Sequence, residues 1–364
     1  MKSSNNWQLI ITLISGAVVA HCSGAQTAPP VAGAQTSSSV AVERPANTAR
    51  FLYVADGNGI ERFALSNGIP KPPADLTIAG VGAPIATGPP HGSVFATSGT
   101  TIYEYARGSN KVGTTLKVTA GYYYCHYSWS CPSLGVGALL VDSLGYLYVA
   151  YGYDYKTYHK YGNITIFEWD AQIYAPGASG NAMPVSDFEI GNCLSRFDEY
   201  CAGSAFSGLA LDANGDLRSS YWNDMKCHSC SPVRAIEDEK DPTSSPQYLG
   251  GLKGSGIAFP NGLAVDTNDE LYVDNPSNTD LNSGKPFIAA YPAAATGYRS
   301  PDRVLKVKGA QSFGAGIAVS STGLLYIPDT TANAVYVVRS SGNGLHRPLA
   351  TLSAPKPTDA KLGP

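Results

Sequence analysis

The sequence predicts an all-β fold, a six-bladed β-propeller of four-stranded antiparallel blades. Three observations carry that prediction: a composition suited to short strands and turns, an apolar strand motif that recurs six times, and a second strand that precedes most of its copies. The chain has 364 residues, with 39 Gly, 25 Pro and 23 Tyr, and only 15% of it is charged. Chains poor in charge and rich in turn formers and aromatics build many short strands rather than coiled coils or acidic tails. The formal net charge of −3 excludes the broad basic footprint of a protein that works on nucleic acid or anionic lipid.

The recurring motif reads Leu52-Tyr53-Val54, Val94-Phe95-Ala96, Leu147-Tyr148-Val149, Leu217-Arg218-Ser219, Leu271-Tyr272-Val273 and Leu325-Tyr326-Ile327. Its copies start 42, 53, 70, 54 and 54 positions apart, as expected of supersecondary units that stack to bury their faces. Shortly upstream of most copies sits another strand, at residues 137–142, 208–212, 262–266 and 316–320. Tight polar turns such as Ala213-Asn214-Gly215-Asp216 join the two as hairpins. A third strand carries Phe63, Tyr105, Tyr174, Ile236, Tyr291 and Tyr336. Turns marked by Pro73, Pro184, Pro246, Pro301 and Pro348 lead on to a fourth, as at residues 76–78, 116–118, 188–190 and 304–307. A single four-stranded sheet cannot cover both its faces. Six of them cover each other by stacking radially into a closed ring, whereas a flat sandwich leaves long exposed edges.

The units Gly262-Leu-Ala-Val-Asp-Thr-Asn-Asp-Glu-Leu-Tyr-Val273 and Gly316-Ile-Ala-Val-Ser-Ser-Thr-Gly-Leu-Leu-Tyr-Ile327 resemble NHL-type repeats and the six-bladed gluconolactonase/paraoxonase-like superfamily. The resemblance covers residues 50–350, and its strand motifs specify fold more than chemistry. It implies calcium in the central channel polarising an ester carbonyl while a His or carboxylate activates water. The implied substrates run from sugar lactones to acyl-lactones such as acyl-homoserine lactones. The segment Pro260-Asn261-Gly262 is similar to the one that supplies a calcium-binding Asn in that superfamily, which makes Asn261 an expected metal ligand. A hard cation takes six to eight oxygens, so Asp56, Asn275 and Asp329, at the same end of the channel by register, complete the expected set. The equivalent register positions elsewhere, Val42, Pro84, Gly137, Ser207 and Ala315, bring no ligand.

Residues 9–20 are mostly apolar, follow Lys2 and precede small residues. That layout is too short for a spanning helix and reads as a secretory signal. The expected organisation is a signal peptide at 1–25, a disordered tether at 26–49 rich in Ser, Gly, Ala, Pro and Thr, and one propeller domain at 50–364. Such a protein is exported to the periplasm or beyond, with Cys22 as an alternative site for a lipid anchor. The other six cysteines form three local couples, Cys125/Cys131, Cys193/Cys201 and Cys227/Cys230. In an exported chain these read as disulfides. The zinc alternative lacks a second Cys-x-x-Cys to complete Cys227-His-Ser-Cys230.

Propeller topology places the loops between second and third strands, and the links from one blade to the next, at one end of the ring. The distance from second to third strand is 11 residues in the shortest units but 27, 19 and 20 in the third, fourth and fifth. The resulting insertions, 151–161, 221–230 and 274–282, share that end with links 121–131 and 191–201. Long loops on a rigid scaffold tend to carry function. They hold His126, His159 and His228 as expected catalytic bases, and Tyr151, Tyr155, Tyr221 and Trp222 as an expected substrate rim. Two functions follow. The first is an exported hydrolase that opens lactones or related esters with calcium in the channel. The alternative is a non-catalytic module presenting the Tyr- and Cys-rich face to a glycan, peptide or partner protein. No Gly-x-Ser-x-Gly occurs, so a serine-hydrolase elbow is not expected. The expected partner is a small lactone or ester bound by a monomer, with no nucleic acid and no transmembrane span.

Overall fold

The computed structural model describes residues 49–364 except 89–91, 119–132, 160–161, 196–199, 206–207, 227–232, 241, 245, 255, 259, 277–284 and 293–294. At 133–134, 153–159, 162–168, 191–195, 200–205, 221–226 and 233–238 it describes backbone alone. Six antiparallel sheets form a ring, a six-bladed β-propeller, with no helix among the described residues. None of these residues therefore forms a helix long and apolar enough to cross a membrane.

Each blade is named by strands a (innermost) to d (outermost). Blade 2 is Gly82–Gly88, Ser93–Ser98, Thr101–Tyr105 and Val112–Lys117, and blade 3 is Ser133–Val141, Leu147–His159, Gly162–Tyr174 and Ser186–Ser195. Blade 4 is Leu209–Leu211, Leu217–Lys226, Val233–Lys240 and Gln247–Lys253. Blade 5 is Leu263–Val265, Leu271–Asn275, Phe287–Tyr291 and Arg303–Val307, and blade 6 is Ala318–Val319, Leu324–Asp329, Ala334–Arg339 and Ala350–Ser353.

Blade 1 corrects one expectation. Its strands b, c and d are Phe51–Ala55, Gly59–Ser66 and Ile69–Ala79, but strand a is the C-terminal Asp359–Gly363, paired antiparallel with strand b. The register position assigned to Val42, which lies outside the described residues, belongs instead to Thr358, just before the C-terminal strand. Both ends of the domain are thereby hydrogen-bonded into one sheet, and that pairing closes the ring.

The Leu-Tyr-Val motif is strand b, and its alternation explains its composition. Side chains of a strand point to opposite faces in turn, and here both faces meet a neighbouring blade. Leu271 and Val273 pack toward blade 4 while Tyr272 packs toward blade 6. Leu325 and Ile327 face blade 5 and Tyr326 faces blade 1. The described core forms six clusters, each shared by two adjacent blades. The motif's tyrosine also clasps the preceding turn. Asp142 Oδ1 accepts the amides of Leu144 and Tyr146 while its Oδ2 accepts the Tyr148 hydroxyl at 3.2 Å, and Asp266 repeats this with Tyr272 at 3.3 Å. Blade 4 substitutes Arg218, whose guanidinium lies 3.6 Å from Asp212 Oδ2.

Two expected loops are instead strands. In blade 3 the 151–161 insertion lengthens strands b and c to 13 residues each, paired from Leu147↔Tyr174 to His159↔Gly162. Tyr151, Tyr153, Tyr155 and Thr157 fall at every second position, a strand period in β-favouring residues. In blade 4 strand b runs on to Lys226, and Tyr200–Ala205 from the preceding link pairs along the extension. The turns after strand c cover outer edges. Gly297–Tyr298 adds in parallel to strand d of blade 4, Gly344–His346 adds to strand d of blade 5, and Gly180 bridges Leu116 of blade 2. Such cover removes the open edges that invite strand-to-strand association.

At the narrow ends of blades 4, 5 and 6 no side chain fits beside the next blade. A Cβ on Gly262 would lie 2.8 Å from the Ala315 carbonyl oxygen and 3.1 Å from the Ile317 nitrogen, both of blade 6. The same addition on Gly208 would meet the Asn261 carbonyl oxygen, and on Gly316 the Asp359 carboxylate. Gly262→Ala should therefore destabilise the fold by about 1–3 kcal/mol, as overpacking does. Gly57→Ala, whose Cβ meets nothing within 4 Å, should stay within about 0.5 kcal/mol of wild type. Urea unfolding of the two variants checks this, and equal stabilities would refute the close-approach account.

Candidate functional site

The upper mouth of the channel is the end where strands a begin and strands b finish. Hydrogen bonds between blades fix its rim. Half-buried Asn261 stands just before strand a of blade 5. Its amide donates to the Asp274 carbonyl at 2.9 Å, its carbonyl accepts the Ser220 hydroxyl of blade 4 at 2.7 Å, and its Nδ2 donates to the Gly314 carbonyl before blade 6 at 3.2 Å. The Asn261 side chain is thus held in one orientation, and no described residue engages its Oδ1.

Asp274 follows the motif in blade 5 and is fully buried. No side chain among the described residues donates a hydrogen bond to either carboxylate oxygen, and the Gly262 amide, the one backbone group that acts on it, works against the rise that burial brings. Burial raises its carboxyl well above the ordinary range, and the charge of Asp329 on the facing blade adds to the rise. None of the equivalent residues of the other five blades is an acid: Ala55, Thr97, Ala150, Ser220 and Pro328. A buried ionisable group without a partner costs several kcal/mol if charged, so such groups concentrate at functional sites.

Each of the other expected metal ligands spends at least one side-chain oxygen on the backbone. Asp329, fully buried, accepts the amide of Gln311 on Oδ2 at 2.7 Å and those of Ser312, Thr331 and Ala332 on Oδ1 at 2.8–3.2 Å. Asp56 Oδ1 accepts the amides of Asn58 and Gly59 at 2.7 and 2.8 Å. Buried Asn275 takes the Ala258 amide on Oδ1 at 2.8 Å and donates to the carbonyls of Gly256 and Val273. These three side chains clamp the loops that follow strand b, the local bonding that suits Asp and Asn to turns. No three His, Cys, Asp or Glu side chains gather as a metal cluster among the described residues.

Sequence reasoning missed Asp359. It occupies in blade 1 the position that Gly262 and Gly316 hold in blades 5 and 6, so the C-terminal pairing alone could have revealed it. Its Oδ2 accepts the Ile85 amide of blade 2 at 2.9 Å, and Oδ1 lies 3.6 Å from Lys361 Nζ. Burial raises its carboxyl, with Lys361 and the amide of Ile85 acting against the rise.

Of the expected rim, Tyr151 is corrected: only 3% exposed, it packs with Leu139, Val149 and Tyr174 between blades 2 and 3. Alternation along strand b turns it toward the same interface as Leu147 and Val149. Tyr155 pairs with Ile166 and His159 with Gly162 at the far end of the blade 3 ribbon, while Tyr221 pairs with Ala235 and Trp222 with Arg234 and Ala205. Their side chains lie outside the description. Cys193 pairs with Phe167 in blade 3, and Cys201 pairs with Met225 in blade 4, again as backbone only. His126, His228, Cys125, Cys131, Cys227 and Cys230 lie outside the described residues.

No known family profile matches the chain, and no curated protein matches its sequence. Solved structures do match. A Bacteroides caccae protein of unknown function shares 12% identity at a TM-score of 0.52, over 87% of this chain and 99% of that one. A luciferin-regenerating enzyme shares 15% at 0.48, over 77% and 78%. A Bacteroides uniformis protein named as a candidate 6-phosphogluconolactonase shares 9% at 0.47, over 87% and 100%. The likeness to the first shows the propeller fold.

A carboxyl raised by folding makes the folded chain bind more protons than the unfolded one, so stability falls as pH rises above about 4 toward the folded-state value. In EDTA, the wild-type Tm should fall between pH 5 and 8 by about 2–4 °C more than that of Asp274→Asn, which lacks the titrating group. Superimposable Tm–pH curves would show that Asp274 does not carry an uncompensated charge.

Proposed function

We propose that the protein is an exported hydrolase that opens lactones or related esters at the upper mouth, with calcium bound there. The observation that carries this reading is Asp274, a fully buried carboxylate with no side-chain partner among the described residues, whose backbone carbonyl holds the amide of Asn261, itself with an Oδ1 that no described residue engages. The pair fits a hard divalent cation, whose charge would offset the burial of Asp274 next to Asp329. Asn261 and Asp274 would hold the ion, while Asp56, Asn275 and Asp329 keep the surrounding loops in place. When bound, calcium would polarise an ester carbonyl.

The chain's own contribution is positioning and proton transfer. Asn261 is braced against three blades, which holds its oxygen still at the rim. His126, His159 and His228 are the candidate bases that would take a proton from water. The strands bearing Tyr155, Tyr221 and Trp222 would bring aromatic surface to the ring of a substrate. Export follows from the signal-like N-terminus.

One observation favours a second reading. Three of the four expected ligands are engaged by backbone groups, which suits a propeller that binds a glycan, peptide or partner protein through its extended ribbon without chemistry. Mature protein assayed on sugar lactones and acyl-homoserine lactones separates the two. Hydrolysis should be lost in EDTA and restored by calcium, and Asn261→Ala or Asp274→Asn should lower kcat/KM by at least about a hundredfold, as loss of a group that binds the reacting centre does. Absence of turnover on every lactone, with a Tm indifferent to calcium, would overturn the hydrolase reading and leave the binding module.

A further inference from the structure

The opposite end of the channel has a different wall. One residue per inner strand pairs with the first residue of the recurring motif and lines the lumen half-buried: Thr87, Val141, Leu211, Val265, Val319 and Leu362. Five of the six are aliphatic. They help enclose a cavity of about 370 Å³, within the size class of small-molecule pockets.

This cavity shares Ala49, Ser320 and Ser321 with a wider groove of about 800 Å³ between blades 1 and 6. The groove is lined by two exposed arginines, Arg50 and Arg339, and by no Asp or Glu. Neither guanidinium has an acidic partner among the described residues. The acids of the channel wall are engaged elsewhere. Asp142 and Asp266 bond turn amides and tyrosine hydroxyls, and Asp212 bonds turn amides and faces Arg218. Lys361, which also lines the cavity, lies within ion-pair distance of Asp359. The result is a largely aliphatic lumen, its acids bonded to turn amides, tyrosine hydroxyls and Arg218, that opens onto a groove lined by two arginines and no acid.

We propose that this lower mouth binds an anionic amphiphile: a free carboxylate on an aliphatic chain, the chain in the channel and the carboxylate on Arg50 and Arg339. Apolar surface leaving water supplies the attraction for the tail, and charge-assisted hydrogen bonds from guanidinium groups supply it for the head. The site is independent of the hydrolase reading, because it uses the other end of the ring and needs no metal.

Calorimetric titration of the mature protein in EDTA tests it with three probes: decanoate, decanol and butyrate. Decanoate should saturate at one per chain, with decanol, lacking the charge, and butyrate, lacking the chain, each weaker by about tenfold or more. The double variant Arg50→Ala/Arg339→Ala, altered only at exposed positions, should reduce decanoate affinity to that of decanol and leave decanol unchanged. Val265→Trp, which fills the lumen, should abolish binding of both long-chain probes. Failure of decanoate to saturate, or an unchanged decanoate affinity in the double arginine variant, would overturn the proposal even if Val265→Trp did not fold.

Discussion

Six inner strands have to meet around a narrow axis, and the molecule is organised by how closely they approach. In blades 4, 5 and 6 the wedge leaves no volume for a Cβ where strand a begins, hence the glycine that opens the 208–212, 262–266 and 316–320 strands. Close approach then permits hydrogen bonds from blade to blade. Ser220 reaches the Asn261 carbonyl, Asn261 reaches the Gly314 carbonyl, Ala315 donates to the Thr358 carbonyl, and Thr87 donates to the Leu362 carbonyl at 2.6 Å. Apolar clusters between blades hold the wedges together, and these polar contacts fix their inner edges. Asn261 takes part in two of these links, so its side chain and carbonyl tie blade 5 to both of its neighbours.

Repetition also supplies an internal reference for reading function. Where six units solve the same packing problem, a residue that departs from the solution needs a separate reason. Asp274 departs in blade 5, where blades 1 and 3 place Ala55 and Ala150. Asp359 and Lys361 depart in blade 1, where blades 5 and 6 place glycine and alanine. Arg218 departs in blade 4, but it substitutes for the tyrosine clasp and faces Asp212, so a structural role accounts for it. Asp274 has no such compensation. Its carboxylate lies against a second acid, and among the described residues only the Gly262 amide acts against the rise of its carboxyl.

The strand motifs were legible because they are read locally. Alternation, turn residues and spacing placed strands b and c of every blade, including the third-strand residues Phe63, Tyr105, Tyr174, Ile236, Tyr291 and Tyr336, and strand d of blades 1, 2, 3 and 5. Ring closure was not legible. Nothing short-range in Asp359–Gly363 distinguishes a strand that pairs with Phe51–Ala55, so Val42 was given the position that Thr358 fills, just before that strand. The insertion at 151–161 looked like a loop because it lengthened the unit, although its alternating tyrosines carried a strand signal. Register placed Asp56, Asn275 and Asp329 at the mouth, but not their partners. An Asp or Asn after a strand reads alike whether it faces solvent, a cation or the amides of its own turn. Only coordinates separate those cases, and they separate Asp274 and Asn261 from the other three.

The central claim is that the departure at Asp274 marks a cation site between blades 5 and 6, not a tolerated defect of the repeat. Crystals grown with terbium in place of calcium, measured at an energy where terbium scatters anomalously, locate such an ion directly. The account predicts a peak about 2.3–2.6 Å from oxygens of Asp274 and Asn261. An ordered mouth without that peak, its Asp274 carboxylate hydrogen-bonded instead by another side chain, would contradict it.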